Sequence, residues 1–312
     1  MIKTKYETMK KYFAIVGAVV MALTCSCVGG KGSGGDDPAE AGTKTYCFKD
    51  SCQHLVVSMS LELPMGTDSV SMRIRDAVIA DFMFNARMPG LDQENEFSIP
   101  EYTGDKSDAQ AIVDYFGKAD YDYLLEIAMT DYNDRIQGIE ESTTMSAEEK
   151  EEAKQYIPQF AFNLSLQQTA DTLGFVVYQS QAYVYYGGAL GGVTGTGAIT
   201  FDKTTGKKID RFVKEDATAD LQPLFIRGFR QYYSSYGETL TDKDVLGRLF
   251  LQGDTIPQPV NIPCPNATGD SLVFVYRQYE IACYADGMPS FALAVKDLEP
   301  YLTDEGKALF KK

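Results

Sequence analysis

A single histidine limits the nucleophilic chemistry open to this 312-residue chain. His54 lies two positions after Cys52, a spacing that on a strand puts both side chains on one face. An imidazole-activated thiol would use such a pair, and any Ser–His–Asp or Cys–His apparatus would have to draw on His54. A disulfide or packing role for Cys52 is the plainer reading, and we favour it. A His-rich zinc site and a deacetylase motif with paired histidines are excluded, because each needs several imidazoles. Glu280, in "YEIACY", stands in an apolar stretch that reads as a strand. Glycoside hydrolysis would need a second carboxylate about 5–10 Å from it. An acid paired to Lys or Arg, or facing solvent, explains Glu280 as well, and that reading is preferred. No residue is assigned a catalytic role, and no cofactor or metal is expected.

Two further stretches carry chemical potential. "VDYFGKADYDYLLEIAMTDYND" mixes acid with aromatic at Asp114–Tyr115, Asp120, Tyr121, Asp122, Tyr123 and Asp131–Tyr132. Tyrosine offers rigid amphipathic contact area and the acids attract cations, so Asp120 to Tyr123 form a candidate surface for a basic protein. The bland alternative is a helix with half-buried tyrosines and solvated acids. "DYDYLLE" lacks the spacing and glycine of a calcium loop. The second stretch is "AYVYYGGALGGVTGTGAITFDKTTGKKI". No Lys-Ser/Thr follows its glycines, as a P-loop requires, and strand–turn–strand follows where a dinucleotide site needs a helix. The glycines are therefore expected to make bends and close approaches, with Gly206 at positive φ in a hairpin turn.

These residues need a frame. Leu55, Val57, Met59, Leu61 and Leu63 alternate with Ser58, Ser60 and Glu62; Phe160, Phe162, Leu164 and Leu166 alternate with Gln159, Asn163, Ser165 and Gln167. Both runs read as half-buried strands. "TLGFVVYQSQAYVYY" continues as a strand after a turn, and "SLVFVYRQYEIACY" reads as another. Helical patterns occupy "SVSMRIRDAVIADFMF", with Ile74, Val78 and Phe82 on one face, "DAQAIVDYFGKADYDYLLEIAMTDYNDR", "SAEEKEEAKQY" and "TADLQPLFIRGFRQYYSSYG". The last carries Leu221, Phe225, Phe229 and Tyr232 near one stripe, with Pro223 in its first turn. "KDLEPYLTDEGKALF" is expected to close the chain as a short helix. The order implies an α+β fold, with antiparallel sheet meanders packed with a few helices.

The ends speak to location. A basic start and a dozen apolar residues from Tyr12 to Leu23 make residues 1–26 a signal peptide. Ser26–Cys27 resembles a bacterial lipoprotein cleavage site, making Cys27 the lipidated residue and Cys25 the runner-up. A polar, Gly-rich tether spans 27–44. The chain is expected on the cell envelope of a Gram-negative bacterium, lipid-anchored to the outer membrane. Removal of residues 1–26 takes away four lysines and one glutamate, moving the net charge from −15 to −18. Nucleic acid is thereby excluded as a partner. Four cysteines remain, Cys47, Cys52, Cys264 and Cys283; an even number in an exported chain suggests disulfides, with Cys47–Cys52 and Cys264–Cys283 the simplest of three connectivities.

"YVYYGGALGG", "ITFDKTTGKKI" and "VYRQYEIACYADGMPSFALAVKDL", in that order, resemble the RsiV/PdaC-like extracytoplasmic domains. That family occurs in a lysozyme-sensing anti-sigma factor, beside peptidoglycan deacetylase domains, and alone in envelope lipoproteins. The matching residues are Tyr185, Gly187, Gly188 and Ala189; Phe201, Asp202, Thr205, Gly206 and Lys207; and Tyr279, Glu280, Ile281, Tyr284, Ala285 and Gly287. Leu190 departs from the usual His. The resemblance implies an α+β fold of two intimately joined subregions, PdaC-like over 45–190 and RsiV-like over 191–312. The chain is read as a non-catalytic binding domain whose ligand is a basic protein such as lysozyme, or cell-wall glycan. A carboxylate-dependent glycan hydrolase is the alternative.

Overall fold

A computed structural model describes residues 42–87, 99–172, 174–187 and 192–310. The expected signal peptide, Cys25, Cys27 and nearly all of the tether lie outside these residues, as do Gly188, Ala189 and Leu190. Among the described residues no helix is long and apolar enough to cross a membrane.

Six strands form the main sheet in chain order: β1 (Thr43–Ser51), β2 (Leu55–Pro64), β3 (Phe160–Asp171), β4 (Phe175–Tyr185), β5 (Val193–Asp202) and β6 (Lys208–Ile209). The alternation works as expected. Leu55, Val57, Met59, Leu61 and Leu63 are buried, and so are Phe160, Phe162, Leu164 and Leu166 beside them. Against this face pack α1 (Ser69–Ala86) and α2 (Ala109–Glu141), with α3 (Ala147–Gln155) following α2. Ile74, Val78 and Phe82 face inward as the helical spacing requires. Asp68 caps α1 by accepting from the Val70 and Ser71 N–H groups, and Ser146 with Glu149 forms a capping box on α3.

The sheet departs from a pure antiparallel meander at one place. β2 and β3 run parallel, because α1, α2 and α3 together carry the chain back to the end of the sheet where β2 began. All the other pairings are antiparallel. The sheet also runs on past position 190, since β5 pairs with β4 along ten residues.

A second, three-stranded sheet contains β7 (Cys264–Pro265), β8 (Ser271–Val275) and β9 (Ser290–Ala294). Helix α4 (Gln222–Ser235) lies on β9 and buries Phe225, Phe229 and Tyr232 as its stripe predicts, while Leu221 is buried just before it. Helices α5 (Asp242–Arg248), α6 (Val295–Leu298) and α7 (Asp304–Phe310) complete this part. The buried residues form two clusters, and β4 contributes to both through Tyr178 on one side and Val177 on the other.

Two sequence expectations are corrected here. The strand read from "SLVFVYRQYEIACY" stops at Val275, so Glu280 stands in a turn. Tyr279 takes φ +63°, and a 3-10 turn at Tyr284–Asp286 follows, closed by Gly287 at φ +68°. The four cysteines form no disulfides. β1 is extended from Cys47 through Ser51, which places Cys47 and Cys52 about 16 Å apart, far beyond the roughly 7 Å limit for a bridge. Cys264 pairs with Val273 in the second sheet, where burial pushes its thiol up to about 11. Cys283 is exposed and gives its thiol hydrogen to Asp286, 3.0 Å away.

Candidate functional site

The family-like residues converge on turns. Asp202 accepts the Thr204 and Thr205 N–H groups at 2.8 and 3.0 Å, and Gly206 closes the hairpin at φ +66°. A side chain on Gly206 would collide with the Val70 carbonyl of α1, so glycine serves close approach as well as bending. Phe201 is buried under the sheet. Gly187, at φ +71°, ends β4 beside Tyr185, packs against Pro158 and Phe160, and gives its carbonyl to Arg135 of α2 at 3.1 Å. Gly187 and Gly206 thus bend and seat the chain.

The 277–287 loop latches the second sheet onto the first. Tyr284 donates to the Gly192 carbonyl at 2.8 Å, and Gln278 accepts from the Thr194 N–H at 2.9 Å. Tyr279 lies against Tyr284, ring centroids 5.7 Å apart. Glu280 accepts two backbone N–H groups, from Val260 at 2.6 Å and Arg277 at 2.7 Å. Its carboxylate therefore holds two loops. Glu280→Ala orphans both donors and is expected to cost about 1–2 kcal/mol in chemical denaturation; an unchanged midpoint would remove this role.

Cys52 and His54 occupy the turn between β1 and β2, so strand alternation does not align them. The His54 ring lies on Tyr132, centroids 4.1 Å apart. The Cys52 thiol is engaged by Tyr121, whose hydroxyl is pushed up to about 12 by that hydrogen bond, with burial adding to it.

The surface expected at Asp120 to Tyr123 is not assembled as such. Asp120 is 0% exposed, and neither carboxylate oxygen has a hydrogen-bond partner. Burial raises its pKa to about 9. Tyr121 and Tyr123 are half-buried against the core. Asp122 alone is exposed, 3.2 Å from Lys118 one turn away.

The exposed acid lies further along the same helix. Ala128 is the last buried residue of α2, and α3 buries none. From Glu126 to Gln155 the chain holds nine carboxylates and three cations, a net charge of −6. The cations are used internally: Arg135 pairs with Asp131 at 2.6 Å, Lys154 with Glu140 at 2.5 Å and Glu151 at 2.6 Å, and Lys150 donates to the Glu140 carbonyl at 2.6 Å. Glu126, Asp134, Glu148 and Glu152 are exposed. Ile127, Met129 and Met145 stand exposed among them. This acidic helical arm was readable as the charge run "EESTTMSAEEKEEAKQ".

The face of the main sheet turned away from the helices is uncharged at its centre. Register sets Cys47, Ser60, Ser165, Gln181 and Thr196 in one row across β1 to β5. Lys49, Ser58, Asn163, Tyr183 and Thr194 make the next row. Ser58 donates to Asn163 at 2.5 Å and Gln179 to Thr196 at 3.3 Å. Elsewhere, a groove of about 400 Å³ runs beside the prolines at 257–263. It holds one carboxylate, Glu215, which lies 3.6 Å from Arg211.

The fold has known counterparts. A crystal structure of a DUF3298-family protein from Bacteroides fragilis superposes with a TM-score of 0.57 at 15% identity, covering 86% of this chain and 97% of that one. A DUF3298-family protein from Pseudomonas aeruginosa gives a TM-score of 0.49 at 13% identity with the same coverage. At 15% identity the first likeness is one of fold, and the fold is the α+β arrangement expected from the RsiV/PdaC-like resemblance. No family model matches the sequence, and no curated protein matches it.

Proposed function

We propose that this chain is a lipid-anchored envelope protein, held at the outer membrane through Cys27 or Cys25, whose domain binds a basic protein such as lysozyme and performs no chemistry of its own. The acidic arm of α2 and α3 carries this reading. Nine carboxylates face three internally paired cations over 30 residues, with exposed apolar side chains interspersed. Such a surface steers a cationic partner and leaves apolar groups to be covered on contact. The hydrolase alternative is weaker, because Glu280 already serves two backbone donors.

Calorimetric titration of the mature chain with lysozyme tests the reading. Saturable heats are expected at low ionic strength, with affinity falling as salt rises. Replacing Glu126, Asp134, Glu148 and Glu152 by lysine should weaken binding at least tenfold at low salt, since all four side chains are exposed and make no hydrogen bond or ion pair among the described residues. Absence of heat at low salt, or full affinity in the reversed variant, would overturn it.

A further inference from the structure

We infer that this chain pairs with a second copy of itself along the open edge of β1, joining two six-stranded sheets into one. The surface is separate from the acidic arm. β1 pairs with β2 on one side only, and its other edge ends the sheet. The opposite edge, β6, is two residues long and offers little to template a strand. β1 runs nine residues with no proline and no break in register, and its residues are exposed or half-buried. A long, regular edge of this kind recruits another strand. The turns at each end fix which groups point outward. The Gly42 carbonyl accepts from the Met65 N–H at 2.9 Å, and the Cys52 N–H donates to the Leu55 carbonyl at 2.9 Å. Even-numbered residues therefore turn their backbone to β2, and Thr43, Thr45, Cys47, Lys49 and Ser51 turn theirs outward. Two of these outward groups are met locally: Gln110 of α2 donates to the Cys47 carbonyl at 2.9 Å, and the Asp50 carboxylate accepts the Ser51 N–H at 2.8 Å. The Cys47 carbonyl keeps a second lone pair for a partner's N–H.

The side chains select a second copy as the partner. Cys47 is the middle residue of β1. An antiparallel copy centred on it sets Lys44 opposite the partner's Asp50, and Asp50 opposite the partner's Lys44. Tyr46 meets the partner's Phe48, Thr45 meets the partner's Lys49, and no like charges face each other. Lys44 and Asp50 lie on one side of the sheet, level with the buried Leu63 and Val57 of β2. Lys44 already lies along that side, its Nζ 4.7 Å from the centre of the Tyr46 ring. One sequence read in both directions thus yields two ion pairs and two aromatic pairs, the self-complementarity that a two-fold interface needs. A parallel copy in register would instead set Lys44 on Lys44 and Asp50 on Asp50, which is repulsive.

Sedimentation velocity of the mature chain bearing Cys27→Ser, which carries no lipid there, tests the pairing. A dimer is expected at about 0.1 mM. Thr45→Pro removes an outward N–H and leaves the ladder to β2 whole, so it should give monomer with the fold intact. Lys44→Asp and Asp50→Lys each turn two attractions into two repulsions and should weaken the dimer about tenfold. The two substitutions together restore opposite charges and should return the affinity to within about threefold of the parent. Diamide, which takes two hydrogens from a pair of thiols, should join the dimer through Cys47. Directly opposed, hydrogen-bonded residues lie about 5.5 Å apart at Cα, within disulfide reach. Cys47→Ser should abolish that link and Cys283→Ser should leave it. A chain that stays monomeric at about 0.1 mM, a dimer indifferent to both single charge reversals, or a disulfide-linked dimer unchanged in Cys47→Ser would overturn the assignment whatever lysozyme does.

Discussion

Asp120→Asn is expected to stabilise the protein at pH 7 by up to about 4 kcal/mol, less what its unpaired buried amide costs. An unfolded aspartate titrates near 3.9, whereas burial without a partner raises Asp120 in the fold to about 9. Between those values the folded chain holds one proton more than the unfolded chain, so stability falls as pH rises, by about 1.4 kcal/mol per pH unit. The loss is absent below about pH 4, reaches about 1.5 kcal/mol at pH 5 and about 4 kcal/mol at pH 7. Asparagine has the same shape and never ionises. Urea denaturation from pH 5 to 8 should show the variant gaining on the parent at each step, with the Asp120 contribution to the slope gone. A variant less stable than the parent at pH 7 would mean the carboxylate has a favourable partner in the fold.

Phe291→Ala should lose about 3–5 kcal/mol, the range for emptying a buried aromatic site. Phe291 stacks on Phe274 with centroids 5.7 Å apart and meets Phe225, Phe229 and Tyr276 at 6.2, 5.1 and 6.2 Å. It also fills the space over Gly228, where any side chain would overlap its ring. One ring thus ties α4 to β8 and β9. Because this cluster lies away from the arm, the variant should keep its lysozyme affinity at temperatures where it remains folded. A loss under about 1 kcal/mol in guanidinium denaturation would mean that neighbouring rings close the cavity, and the second sheet would then rest on other contacts.

Local periodicity carried much of the architecture. The five alternating apolar residues of β2 and the Phe225–Phe229 stripe of α4 are buried because period 2 and period 3.6 translate directly into a face. Pairing is not a local property, so the parallel register of β2 with β3 had no signature in either strand. The apolar run after Val275 imitated a strand because Tyr276, Ile281 and Ala282 are buried, yet they are buried within a turn held by Glu280. Asp120 was legible in principle. Phe116, Asp120 and Leu124 recur every four residues, which puts the acid on the buried stripe of α2, although the neighbouring tyrosines and acids give the segment a polar composition. The polar side of each strand was visible as Ser58, Ser60, Asn163, Ser165 and Gln167, but only the register stacks them into one floor. Cysteine number says nothing of distance, and the extended β1 separates the pair that spacing suggested.

Hydrogen–deuterium exchange of the mature chain with and without saturating lysozyme tests the central claim most directly. Protection confined to the second half of α2 and to α3, from about Glu126 to Gln155, is the predicted result. Protection centred on the 277–287 loop or the groove at 257–263, with the arm exchanging as in the free protein, would contradict it.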